Sequence, residues 1–186
     1  MNRFEQTDQL LIDQEVDPTE RIIWRDKPVP KYFTKGSISI FLFAIPWTAF
    51  SIFWICGASG FSIPDFSEPE QLFPLFGVPF LLVGIGMLST PLLTYRTMQR
   101  TLYVITDRRA IIFEKKFSQN ISTFENIDKN NVLRKQKGEL GDLIFDHKHQ
   151  NDGYGGKVTH EIGFINIRNL KKVYEAFVDN VVKKNA

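Results

Sequence analysis

The sequence predicts an α+β membrane protein: a two-helix transmembrane hairpin, then a small, strongly bent antiparallel β-barrel or sandwich capped by a C-terminal α-helix. Three observations lead there. Charge is segregated along the chain, short β-type runs follow the apolar part, and a three- and four-residue apolar period closes the sequence. The 186 residues have 43% hydrophobic and 24% charged residues, and a mean hydropathy of −0.16, the averages of a soluble globule. Yet no Asp, Glu, Lys or Arg occurs in residues 36–64, a run of 29, or in residues 71–95, a run of 25. Segregation on this scale argues against a single soluble domain and against a wholly disordered chain.

The first helix is centred on residues 38–55 and the second on residues 75–93. At 1.5 Å per residue, 18 or 19 helical residues rise about 27–28 Å, close to the hydrocarbon thickness of a bilayer. Neither segment has the polar stripe of a helix buried in a soluble core. Pro46, Pro79 and Pro91 fall within or near the end of these helices. Membrane bundles tolerate the backbone donors that proline removes. Gly84 and Gly86 would permit close approach of the first helix or of another subunit. Trp54, near the far end of the first helix, and Trp24, before it, are candidate interface anchors with Arg96; Trp47, in mid-span, is read as packing. The apolar run starts too late, and after too acidic a stretch, for a secretory signal.

The flanks set orientation. Arg21, Arg25, Lys27, Lys31 and Lys35 precede the first helix, and Arg96, Arg100, Arg108 and Arg109 follow the second. The connecting loop, residues 57–71, carries Asp65, Glu68 and Glu70 and no Lys or Arg. The positive-inside rule places both termini in the cytoplasm and this loop outside. The domains expected are therefore a cytoplasmic arm (1–35), the hairpin (36–95) and a cytoplasmic domain (96–186). The acidic start, residues 5–20, is read as a solvated, partly ordered arm. The lone Cys56 excludes an internal disulfide and is read as a small apolar filler near the outer helix end.

From Thr101 on, strands are expected at 101–106, 110–115, 120–127, 131–136, 142–148 and 158–165, with Asp107-Arg108 as a tight turn and Gly138, Gly141 and residues 151–156 as breaks. Leu170, Val173, Tyr174, Phe177, Val178 and Val181 then recur at helical spacing, predicting a helix over about 167–183. Asn166 or Asn169 would cap its start, and Lys183 and Lys184 suit its C-terminal dipole end.

The segment TLYVITDRRAIIF, residues 101–113, resembles the opening strands of bacterial pleckstrin-homology-like domains, a widespread membrane-anchored group. The E-x-I-x-W-x-x-x-P run of Glu20, Ile22, Trp24 and Pro28, the GDLIF of residues 141–145 and the terminal helix also resemble that group. The resemblance implies a pleckstrin-homology-like fold in a bacterial inner membrane. It implies seven strands where six are read. Either residues 120–127 split, or residues 21–24 supply an edge strand from before the hairpin.

In eukaryotic pleckstrin-homology domains the first hairpin holds a phosphoinositide head group. By that resemblance Arg108, Arg109, Lys115 and Lys116 are candidate lipid-binding residues. From Arg96 on there are 17 Lys and Arg against 11 Asp and Glu. A basic residue near an anionic leaflet gains roughly 1 kcal/mol. The competing reading is that Arg108 and Arg109 obey the positive-inside rule and pair with nearby carboxylates. Arg134, Lys135 and Lys137 form a second basic group, with Lys135 and Lys137 on one solvated strand face. No aromatic residues alternate with these charges as a nucleic-acid stacking surface needs, so no nucleic-acid partner is expected. His147 and His149, two apart, share a strand face, with His160 and Asp142 near enough to suggest a metal or acid–base cluster. Nothing fixes a third tetrahedral ligand, so no metal and no cofactor is assigned. No nucleophile turn such as GxSxG is present. The function expected is a non-catalytic adaptor that binds membrane lipids and either a protein partner or a copy of itself.

Overall fold

A computed structural model describes residues 3–61, 69–115, 118–151 and 157–182. The chain divides into two units. One is Lys31–Arg96, and the other joins Met1–Pro30 to Thr97–Ala186. The apolar unit is thus an insertion within the other unit, between two strands that pair with each other.

In the apolar unit, helix α2 spans Lys35–Ala58. Thr34 caps it: its hydroxyl accepts from the Ser37 N–H at 3.2 Å, while the Thr34 N–H donates to Ser37 Oγ at 2.7 Å. This reciprocal box starts the helix earlier than the apolar run alone suggests. Pro46 lies inside without ending it. Large apolar side chains are exposed on α2, among them Leu42 at 59%, Phe50 at 66% and Phe53 at 67%. Residues 36–58 are long and apolar enough to cross a membrane, rising about 35 Å.

The second apolar window is not one straight helix. A 3₁₀ helix, Pro69–Gly77, leads into α3, Val78–Leu88, and after Ser89 into α4, Thr90–Gln99; the two parts are bent by 43°. Pro91 explains the break. It has no N–H for the Met87 carbonyl four residues back, and its ring crowds that turn. Thr90 Oγ1 donates to Met87 O and Ser89 Oγ to Gly86 O, both at 2.6 Å. Side chains so occupy carbonyls that a continuous helix would satisfy through its backbone. The second helix expected at 75–93 is thus a bent pair, and among the described residues only 36–58 form a single helix long and apolar enough to span.

α2 packs on the 3₁₀ helix and α3. A Cβ on Gly84 would fall on the Thr48 side chain, whereas one on Gly86 would meet open space. Close approach therefore uses Gly84. Trp47 Nε1 donates to Phe80 O at 3.0 Å. A cleft of about 240 Å³ opens beside this contact, lined by Trp47, Phe50, Trp54, Phe76 and Phe80 among others.

The other unit has two antiparallel meanders. The first sheet runs in the order β1–β2–β3–β4, with β1 Ile22–Asp26, β2 Thr101–Thr106, β3 Ala110–Lys115 and β4 Gln119–Phe124. The second is β5–β6–β7, with β5 Leu133–Lys137, β6 Leu140–Asn151 and β7 Lys157–Arg168. Helix α5, Leu170–Asn180, follows. Of the two routes to a seventh strand, the structure takes the edge strand before the insertion: Trp24 pairs with Ile105 and Asp26 with Tyr103. β6 and β7 each outrun β5 and form a two-stranded ribbon towards residues 152–156, which lie outside the described residues.

The core lies between the sheets and under α5. Phe145 stacks on Phe177 with centroids 4.8 Å apart, Tyr103 on Phe164 at the same distance, and Leu170, Val173 and Val181 fill the end. The Tyr103 hydroxyl accepts from the Ile165 N–H at 3.2 Å, and burial pushes its pKa up. Asn169 stands at the N-cap, just before α5, but makes no side-chain capping bond. Asn166 instead donates through its side chain to Val29 O and accepts at its carbonyl from the Val29 N–H.

The outer face of the first sheet has a second cover. Helix α1, Arg3–Glu15, sets Ile12, 2% exposed, on Leu102, Val104, Ile111 and Phe113. Residues 5–20 are therefore not a solvated arm. β2 and β3 are apolar on both faces and need a layer on each side, and α1 is the second layer.

Candidate interaction surface

The basic residues of the first hairpin do not form one patch. Arg108 lies exposed in the β2–β3 turn, where its N–H and that of Arg109 donate to Thr106 Oγ1. The Arg109 side chain is turned inward, 17% exposed. It holds Glu20 through Nε at 3.1 Å and a terminal nitrogen at 2.9 Å. It also donates to Glu15 O at 3.0 Å and approaches the Glu15 carboxylate at 3.6 Å. Bonding to Glu20 and the nearby charges of Glu20 and Glu15 raise its pKa further. Arg109 thus ties α1 and the β1 approach to the turn, the carboxylate pairing weighed above. Lys115 sits at the opposite end of β3, six residue steps from Arg109, about 20 Å. Lys116 lies outside the described residues.

The other sequence candidates also disperse. Trp24 is in β1, half-buried, with its ring 5.5 Å from Phe164. It packs against the core between the two sheets. Trp54 packs on Phe73 and Phe76 at 5.4 and 6.5 Å, and Arg96 is exposed on α4. Lys135 pairs with Glu161 at 2.5 Å and Lys137 with Asp142 at 2.6 Å. Arg134, on the other face of β5, lies 4.2 Å over the Tyr174 ring.

The histidine cluster is undone by register. His147 pairs with Glu161 and Lys148 with His160. Residues directly opposite share a face and successive residues alternate. His160 is therefore on the opposite face from positions 147 and 149. Asp142, 7% exposed, accepts from the Asn166 N–H at 2.8 Å and from Lys137, a structural task. Among the described residues no group of three His, Cys, Asp or Glu is placed to hold a metal.

What the structure does build is an unprotected sheet edge. An edge strand offers a row of unpaired backbone groups, and proteins blunt such edges with charge, proline, bulges or cover. β1 has a bulge between Ile22 and Trp24, carries Arg25 and Asp26, and leads to Pro28. β5 has three cations in five residues. β7 shifts register twice against β6, and Val29 bonds to Asn166 near its end. β4 differs from all three. Its sequence QNISTF has no charge and no proline, it pairs with β3 in six consecutive steps without a bulge, and residues 119–123 are all exposed. Ile121 keeps 41% of its surface in solvent.

The first sheet's neutral edge was foreshadowed in the sequence only by its lack of charge. That it is an edge depends on β5 pairing elsewhere. Set against family models, curated proteins and solved structures, the chain gives no match in any of the three comparisons.

Proposed function

We propose that this chain is a membrane-anchored, non-catalytic binding module of pleckstrin-homology-like build, working as an adaptor at the cytoplasmic face of a bacterial inner membrane. Its sheet edge takes an extended strand from a protein partner or from its own copy. The observation that carries the reading is β4, a regular, neutral, exposed edge beside three protected ones. Backbone pairing along such an edge supplies affinity without a preformed pocket.

The pleckstrin-homology-like part of the reading is supported by four consecutive antiparallel strands, then three, then a closing helix. The membrane part is supported by α2. In this reading the bent 3₁₀–α3–α4 segment is the return crossing. The basic flanks and acidic loop then keep both termini inside. The net positive charge beyond Arg96 favours general attraction to anionic lipid, and the separation of Arg108 from Lys115 disfavours a single head-group pocket.

Purification of the full-length chain in mild detergent, read by mass photometry and peptide mass spectrometry, tests the binding function. A discrete larger particle or a co-purifying subunit is expected, and a bare monomer overturns the reading. Topology has its own test. Cys56 should react with an impermeant thiol reagent from outside intact cells, whereas a cysteine at position 129, introduced with Cys56→Ser, should react only after permeabilisation.

A further inference from the structure

We infer that the occupant of the β4 edge is a second copy of the same strand, paired antiparallel about a two-fold axis that sets Ile121 against Ile121 of the other copy. The inference rests on the strand-addition reading above and names its partner. The ends of β4 differ in charge: Lys115 stands beside its start, paired with Gln119 across β3 and β4, and Glu125 follows its end. An antiparallel copy brings the Glu125 end of each strand to the end of the other that Lys115 flanks one strand further in, so the ends that approach differ in charge and the pairing sets no like charges directly opposite. β5 has the opposite property. Any antiparallel copy of it would bring Arg134, Lys135 and Lys137 against their own equivalents, and like charges opposed across strands destabilise the pair.

Geometry narrows the register. A two-fold axis normal to the sheet keeps the same face up in both copies, so paired residues must have the same parity. Centring on Ile121 then pairs Gln119 with Thr123 of the other copy and Asn120 with Ser122. It also covers the one apolar side chain of the strand that is left exposed. Ile121 lies opposite Phe113 on the face where α1 covers Phe113 and its neighbours. The paired isoleucines would thus extend an apolar layer that already exists on each copy.

Disulfide mapping of the full-length chain in lipid nanodiscs, with Cys56→Ser as background, reads the register. Opposed residues lie about 4.5–5.5 Å apart between Cα atoms, within disulfide reach. Ile121→Cys should therefore cross-link to itself under mild oxidation. Gln119→Cys should not, because its own mate is four residues away along the strand, about 13 Å. Mixed with Thr123→Cys chains, it should cross-link. Mass photometry should show two chains per particle, and Ile121→Lys, on an exposed edge that folding does not need, should lower the mass by one chain, 21.5 kDa. A failure of Ile121→Cys to cross-link, or an unchanged dimer mass in Ile121→Lys, overturns the self-pairing. A different subunit lost on Ile121→Lys also overturns it while leaving the adaptor reading standing. A bare monomer removes both.

Discussion

β3 and β4 are neighbours in one sheet, joined by six consecutive residue pairs, yet they live in opposite environments. Ala110, Ile111 and Phe113 are at most 1% exposed, while all of residues 119–123 are exposed. The pairing does not distinguish them; the layers above and below do. β3 lies between the inter-sheet core on one face and α1 on the other. β4 has lateral pairing on one side only and little cover on its faces. One ladder therefore carries a structural strand and a strand left available, and burial, not hydrogen bonding, separates the two roles.

The largest effect should come from the doubly packed side. Phe177, 0% exposed between Phe145 and Phe164, should cost about 3–5 kcal/mol when changed to Ala. A thermal melt of the detergent-solubilised chain should fall by about 10 °C or more. A sharper contrast uses two isoleucines. Ile12→Ala should cost about 2–4 kcal/mol because Ile12 is buried by α1 packing. Ile121→Ala should stay within about 0.5 kcal/mol in the monomer. Equal losses in denaturant titrations would dissolve the distinction between covered and open faces.

Arg109→Ala comes next. It leaves Glu20, 6% exposed, without its partner, at a cost of about 1–3 kcal/mol, whereas Arg108→Ala should stay within about 0.5 kcal/mol. Flotation on anionic liposomes should not separate the two variants; selective loss with Arg109→Ala at intact stability would return that residue to lipid binding. The smallest effect lies in the apolar unit. Gly84→Ala presses on Thr48, and overpacking of about 1–3 kcal/mol outweighs the roughly 1 kcal/mol gained in helix propensity. Gly86→Ala meets nothing and should be neutral or stabilising. Melts of both variants in the same detergent check the sign.

Much of the chain is legible in the sequence, for reasons of short range. Charge-free windows, turn residues and apolar period are local quantities, so α2, the β2–β3 hairpin and α5 stand close to where residues 38–55, 101–115 and 167–183 placed them. The break at Pro91 is also local in cause and the proline is visible in the sequence; the size of the bend, 43°, is not. What escaped was set by pairing over distance. Trp24 and Ile12 look like membrane-flank and arm residues until β1 pairs with β2 across the insertion and α1 closes the outer face.

The site residues divide along the same line. The sequence by itself determined which residues carry charge and which segments are apolar, because both are written in side-chain chemistry. Only the tertiary structure decided that Arg109 is held by Glu20 and that His160 turns away from His147. It alone made β4 an edge, because register and strand order arise from the layers a strand packs between, and those layers are assembled from segments far apart in the chain.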